Sequence, residues 1–282
     1  MHVLVTGLDG FTGKYLSDEL ISHGHTVVGL QSDLMDEKAL NQEIADAMPE
    51  AVIHLAGISF VPNQEINHIY EVNLLGARNL LQALFLHAPE VKSVLLASSA
   101  YVYDSSTEGL LTETSPINPA NDYAVSKCAM EQMAALWREK LPVCIVRPFN
   151  YTGVGQSDHF LIPKIVSHFK MKKPVIELGN LEVEREFGDV RSVAQIYRKL
   201  LDKRASNEIL NISTGNAHSL KEAIAICGKI TGHAMEINVN PLFVRPNEVT
   251  SLVGCNKRLK QCIGSWKEYT FEETLRWMLG NE

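Results

Sequence analysis

Apolar and polar positions along the chain follow two alternating periods. Short, β-branched-rich runs at 2–6, 26–30, 51–55, 94–98 and 143–147 read as strands, and each is near-continuously apolar, as in a sheet covered on both faces. Between them, apolar residues recur at helical spacing over about 13–23, 37–48, 65–87 and 123–140. Strict strand–helix alternation of this kind builds a parallel, doubly wound α/β sheet. After Pro148 the pattern changes: 149–186 is richer in loops, a helix resumes over 189–201, a strand over 209–212, and a short amphipathic helix closes the chain at 271–279. The expected organisation is therefore one domain from 1–148 plus about 187–214, and a smaller, discontinuous C-terminal lobe from about 149–186 plus 215–282.

The first strand runs directly into Gly7-Leu8-Asp9-Gly10-Phe11-Thr12-Gly13 and then into a helix. Strand, glycine turn and helix in this order form the phosphate cradle of a Rossmann-type dinucleotide fold. Gly7 permits the tight turn, Gly10 lets the backbone approach a pyrophosphate, and Gly13 lets helix and strand pack closely, with phosphate charge meeting the helix N-terminus. Ligands in such folds sit outside the carboxyl ends of the strands. His54-Leu55-Ala56-Gly57 and Ser98-Ser99 also fall at strand ends, so they share a crevice with the glycine turn.

Tyr123 and Lys127 stand four residues apart at the start of a helical stretch, on one face. An ammonium beside a phenol is expected to lower its pKa from about 10, and a tuned phenol can transfer a proton. Ser99, at a strand end, would hold a substrate oxygen as negative charge develops on it. The trio suits a ketone/alcohol couple. In the second lobe, Asn150, Gln156, Lys164 and Arg185 are residue types that grip phosphate or sugar hydroxyls.

Composition narrows the partners. The 282 residues are 45% apolar and 21% charged with a net charge of −7, which gives no electrostatic reason to expect nucleic acid or an anionic membrane. No apolar run reaches the roughly 18 residues of a membrane span, and the first strand begins at residue 2, so a cytoplasmic protein with a small-molecule ligand is expected. The five cysteines are odd in number and lack a Cys-x-x-Cys pair, so they read as free thiols rather than disulfides or zinc ligands, and no metal is expected. Apolar residues on more than one face of 65–87 (Leu74, Leu80, Leu81, Leu84, Phe85) and 123–140 (Met130, Met133, Ala134, Trp137) suggest a surplus stripe that a homodimer would bury through a four-helix interface.

Together, Gly-x-x-Gly-x-x-Gly, His54-Leu55-Ala56, Asn73 in Val72-Asn73-Leu74-Leu75-Gly76, Ser98-Ser99 before Val102-Tyr103, Tyr-x-x-x-Lys and Arg147-Pro148-Phe149-Asn150 resemble the extended short-chain dehydrogenases/reductases, the NAD-dependent epimerase/dehydratase family acting on nucleotide sugars. Asn150-Tyr151-Thr152-Gly153, Gly179-Asn180-Leu181-Glu182, Phe187-Gly188-Asp189-Val190-Arg191 and Arg245-Pro246-x-Glu248-Val249 are similar to the reductases of GDP-4-keto-6-deoxy-mannose within it. The resemblance implies that Tyr123 protonates a C4 oxygen that Ser99 holds, while Lys127 binds the nicotinamide ribose. It implies cofactor contacts from Gly7, Gly10, Phe11, Thr12, Gly13, Gln31, Asp33, Leu34, Leu55, Ala56, Gly57, Asn73 and Pro148, with Asp33 and Leu34 at the adenine. For the nucleotide sugar it implies Ser59, Ser99, Asn150, Lys164, Arg185, Arg245 and Glu248.

Departures from the family pattern select among reactions. The related 4,6-dehydratases carry an acidic residue beside the catalytic hydroxyl, and related 3,5-epimerase/reductases a Cys; here Ser99 is followed by Ala100. The expectation is an NAD(P)H-dependent reductase of a nucleotide-linked 4-keto-6-deoxy hexose, GDP-linked by resemblance, giving GDP-D-rhamnose or GDP-6-deoxy-D-talose. The alternatives are a 4-epimerase holding NAD tightly and a cofactor-sensing regulator on the same fold. At the second strand's end stand Gln31 and Ser32, with neither the carboxylate that clamps the ribose of NAD nor an Arg for the 2′-phosphate of NADP. Neutral polar groups there favour NADP(H) slightly over NAD(H).

Overall fold

The computed structural model describes residues 1–59, 66–104, 106–107, 109–181, 183–241 and 251–280. Its centre is a six-stranded parallel sheet in the order Ile209–Ile212, Val143–Pro148, Ser93–Ala97, Ala51–His54, His2–Thr6, Thr26–Gly29. The first strand thus has the second on one side and the third on the other. The strand order reverses there, which opens a crevice at the carboxyl ends beside Gly7.

The period of two along each strand divides the core. Val3, Val5, Ile53, Leu95 and Val146 face the helices Phe11–Ser22 and Val190–Asp202, burying Leu16, Leu20, Ile196 and Leu200 with them. Leu4, Val52, Val94, Leu96 and Ile145 face the other way, against Leu40, Ile44, Leu80, Leu81, Leu84 and Met130. Each fully buried Leu or Ile contributes about 1.5–3 kcal/mol relative to exposure. A third apolar cluster draws on Ile162, Ile165, Phe169, Ile176, Leu178, Leu220, Ile224, Leu275 and Met278, all from beyond Pro148.

The five early strands lie within a residue or two of their sequence expectations, and the strand Ile209–Ile212 and the helix Phe271–Leu279 match theirs. The terminal helix begins at a capping box, with Thr270 and Glu273 bonding each other's backbone N–H groups. Two differences matter. The helix expected over 65–87 is three pieces: Ile66–Tyr70, a π-helical turn Glu71–Gly76, and Ala77–His87. The stretch expected to be loop-rich holds the helix Leu161–Lys170, whose Ile162, Ile165, Val166 and Phe169 are buried, and the strand Val175–Leu178 paired in parallel with Glu236–Val239.

The proposed surplus stripe is also corrected in its membership. Leu80, Leu81, Leu84, Met130 and Ala134 are fully buried, and Leu74, Met133 and Trp137 pack against that core. The large apolar side chains exposed on these elements are Ile66, Leu75, Phe85, Leu86, Val125 and Leu136. Among the described residues no helix is long and apolar enough to cross a membrane, and no cluster of His, Cys, Asp and Glu is suited to a metal ion. All five cysteines are free.

Candidate active site

The glycine turn is shaped by what a side chain would strike. Gly7 has φ +73°, and a Cβ there would stand 3.0 Å from the Ala56 amide nitrogen; one on Gly13 would stand 2.3 Å from the Leu8 carbonyl oxygen. The helix Phe11–Ser22 that follows has Gly10 at its cap and no side-chain capping bond. A bare, uncapped helix start beside a close-packed glycine turn fits a pyrophosphate. Phe11 stacks on Tyr151 with ring centroids 6.2 Å apart, and Thr12 Oγ1 meets the Tyr151 hydroxyl at 2.7 Å, so the turn is braced by the chain just after Pro148.

The strand ends beside it interlock. Thr6 Oγ1 accepts the Ala56 N–H at 3.1 Å and lies 2.7 Å from His54 Nδ1. His54 is fully buried, and its Nε2 has no partner among the described residues. Burial, with the Lys127 charge adding to it, pushes His54 down to about 3. It is a neutral imidazole at any ordinary pH.

Asn121 caps the helix Asp122–Ala135, accepting the Ala124 N–H at 2.9 Å, and so places Tyr123 in the first turn and Lys127 one turn later. The Lys127 ammonium is buried and donates to the Ala97 carbonyl at 2.9 Å. A Cβ on Gly57 would come within 3.0 Å of its Nζ and 3.1 Å of Asn73 Oδ1, so glycine is what lets that backbone lie over the pair. Asn73 is turned inward by the π-helical turn; its Oδ1 accepts the Ile58 N–H at 2.8 Å, and its amide donates to the Ile58 carbonyl and to Ser126 Oγ, both at 3.0 Å. Burial pushes Lys127 down to about 8, against the opposing pull of Glu131.

Ser99 stands at the end of its strand, its Oγ accepting the Tyr101 N–H at 3.2 Å and capping the short turn Ala100–Val102. It is within hydrogen-bonding reach of the Tyr123 phenol. The expected acidification of that phenol does not occur: burial pushes Tyr123 up to about 12, the Ser99 bond only partly opposes it, and the Tyr151 and Tyr101 phenols add to the rise. Tyr123 is therefore a neutral acid across the physiological range.

Behind this trio lies an ion pair that sequence reasoning missed. Arg147 donates to both oxygens of Glu131, at 2.9 and 2.6 Å, with both side chains 2% exposed, and Ser98 Oγ donates to the same carboxylate at 2.5 Å. The signal was present, since Glu131 follows Lys127 by one helical turn and Arg147 sits in a strand that is otherwise apolar. The pair ties the strand Val143–Pro148 to the helix carrying Tyr123 and Lys127, and the Ser98 bond adds the strand end that carries Ser99.

The remaining candidates divide. Tyr101 donates to Asn150 Oδ1 at 3.4 Å, which brings Asn150 to the crevice; Leu55, Ala56 and Pro148 lie at strand ends, and Ser59 is exposed just beyond. Asp33 accepts the Met35 N–H at 2.9 Å, while Leu34 is 7% exposed and packs into the core, so its side chain is not offered to an adenine. Lys164 donates to the Glu177 carbonyl at 2.8 Å, and Arg185, nearly buried, to the Glu184 carbonyl at 2.8 Å. Arg245 and Glu248 lie outside the described residues.

The neutral, buried His54 carries a pH prediction. The unfolded chain binds a proton there near pH 6.5 and the folded chain only near 3, so stability is fully present above 6.5 and falls as pH drops through that window. Denaturant titrations should show a loss on the order of a few kcal/mol between pH 6.5 and 4, shallower in His54→Gln. Equal slopes for the two proteins would contradict this.

Comparison with known proteins agrees with the geometry. Over 276 residues the chain is 35% identical to a GDP-6-deoxy-D-talose 4-dehydrogenase of Aggregatibacter actinomycetemcomitans, covering 96% of this chain and 94% of that one. It is 33% identical to a GDP-6-deoxy-D-mannose reductase of Pseudomonas aeruginosa over 99% of this chain and 96% of that one. The solved structure of RMD from Pseudomonas aeruginosa complexed with NADPH superposes with a TM-score of 0.89 at 31% identity, covering 100% and 99% of the two chains. The family model for NAD dependent epimerases/dehydratases matches residues 3–213, and the chain belongs to that family.

Proposed function

We propose that this protein reduces the 4-keto group of a nucleotide-linked 4-keto-6-deoxy hexose with NAD(P)H, GDP-4-keto-6-deoxy-D-mannose being the favoured substrate and GDP-D-rhamnose or GDP-6-deoxy-D-talose the product. The observation that carries this reading is the placement of Tyr123 and the buried Lys127 one helical turn apart beside the strand end bearing Ser99, with Ala100 where a dehydratase would place an acid. Both named relatives act, by their names, on 6-deoxy sugars linked to GDP.

The cofactor, when bound, supplies a hydride to the substrate carbonyl carbon. Ser99 holds the carbonyl oxygen, and Tyr123 gives it the phenolic proton as negative charge develops there. Reduction requires the phenol in its protonated form, the form toward which burial displaces Tyr123. Lys127 places a dry positive charge under the same crevice, and Asn150 and Arg185 lie on the lobe that would take the nucleotide sugar. We assign 1–148 plus about 187–214 to cofactor and about 149–186 plus 215–282 to substrate; the separate apolar cluster beyond Pro148 supports this division, apart from the helix Lys257–Ile263, whose Leu259 and Ile263 are buried with the core of the six-stranded sheet.

Incubation with NADH or NADPH and a panel of nucleotide-linked 4-keto-6-deoxy sugars, with product identification by NMR, tests the reaction. Stoichiometric consumption of reduced cofactor is expected, and Tyr123→Phe should lower turnover by a factor on the order of 10² to 10⁴ while cofactor still binds. Interconversion of two sugars by protein that purifies with tightly held NAD and needs none added would instead establish a 4-epimerase.

The exposed Leu75, Phe85, Leu86, Val125 and Leu136 lie on adjoining helices, and we infer that they meet their copies across a two-fold axis. Light scattering at micromolar concentration should give twice the 31.3 kDa chain mass. A mass of one chain would reject the dimer.

A further inference from the structure

The ribose end of the crevice carries a carboxylate that the local sequence conceals. Glu43 belongs to the helix Glu37–Ala47, twelve residues beyond Gln31. Its Oε1 accepts the Gln31 N–H at 2.8 Å; its Oε2 accepts the Ser32 N–H at 2.7 Å and also the Ser32 hydroxyl. Gln31 in turn donates through Nε2 to the Gly29 carbonyl at 3.0 Å. A Cβ on Gly29 would stand 2.9 Å from Leu8 Cδ2, so this segment lies directly against the residue that follows Gly7. In a doubly wound sheet that position, beyond the second strand and beside the glycine turn, meets the adenosine ribose.

Three consequences follow for a ligand arriving there. The neutral donors that the sequence seems to offer a 2′-phosphate, namely the amides of Gln31 and Ser32 and the Ser32 hydroxyl, already serve Glu43. Burial would raise the Glu43 carboxyl, but the Ser32 hydroxyl and the two amides outweigh it and hold the group below its ordinary value, so a full negative charge stands in the site. No Lys or Arg occurs from 26 to 37 to offset that charge. Oε1, with one bond made, still has a lone pair for a hydroxyl donor.

We propose that Glu43 sets the cofactor choice of this protein, accepting the 2′-hydroxyl of NAD(H) and repelling the 2′-phosphate of NADP(H). This rests on the dinucleotide reading of the crevice and reverses the slight preference for NADP(H) that Gln31 and Ser32 suggest on their own. A carboxylate facing a phosphate across a partly buried gap disfavours it by about tenfold or more in affinity. Glu43 acts on binding and touches no reacting atom.

The test is equilibrium binding of NADH and NADPH, followed by cofactor fluorescence, to the native protein and to Glu43→Gln and Glu43→Ser, with a melting curve for each. The native protein should bind NADH at least about tenfold more tightly than NADPH, and both variants should narrow that ratio by losing NADH affinity and gaining NADPH affinity. Native protein that binds NADPH as tightly as NADH overturns the proposal, whether or not the variants fold. So does an unchanged ratio in variants that melt like the native protein. Binding of neither dinucleotide would remove the cofactor reading itself, and this proposal with it.

Discussion

A primary ammonium group shut away from water is the constraint around which this molecule is arranged. Taking such an ion out of water costs several kcal/mol even after relaxation, so it persists only where neighbouring groups compensate it. Lys127 donates to the Ala97 carbonyl, lies one helical turn from Glu131, and has the backbone of Gly57 laid over it. Each neighbour imposes a demand of its own. Gly57 leaves free the space where a Cβ would crowd the ammonium and Asn73, Asn73 turns inward to fix the Ile58 backbone, and the helix passes through a π-turn where Asn73 stands. Glu131 must in turn be held by Arg147, in the strand Val143–Pro148, and by Ser98, at the strand end that leads to Ser99.

The same burial sets the charge state of the whole crevice. His54, Tyr123 and Lys127 are all displaced toward their neutral forms, two bases downward and one acid upward, because desolvation penalises whichever form is charged. A site of this kind has protons to give and little fixed charge besides the lysine. Reduction of a carbonyl asks for that combination, since the oxygen gains negative charge and then a proton.

Much of this was legible in the residues and some of it was not. Apolar runs located the six strands of the central sheet, and the spacing of Gly7, Gly10 and Gly13 pointed to the crevice because glycine is favoured wherever a Cβ would strike backbone. Tyr123, Lys127 and Ser99 declared themselves through helical spacing and a strand end. What escaped was set by contacts distant in sequence. The sign of the Tyr123 shift depends on how deeply the phenol is packed, which no i, i+4 rule contains, and Glu43 reaches Gln31 and Ser32 only because the helix folds back beside the strand. The apolar faces of 65–87 and 123–140 were visible as a surplus, but which residues go inward depends on how the helices seat on the sheet, so Leu80 and Met130 went to the core and Phe85 and Leu136 did not. The buried positions of the helix Leu161–Lys170 follow the helical period, a signal masked by the polar residues around it.

The most direct test of the account is the ionisation of Lys127 itself, followed by NMR of protein carrying ¹³Cε-labelled lysine, with Lys127→Met to assign the signal. Lys127 should titrate at about 8. A midpoint near the ordinary 10.5 would show a solvated ammonium and contradict the dry, close-packed site on which the rest depends.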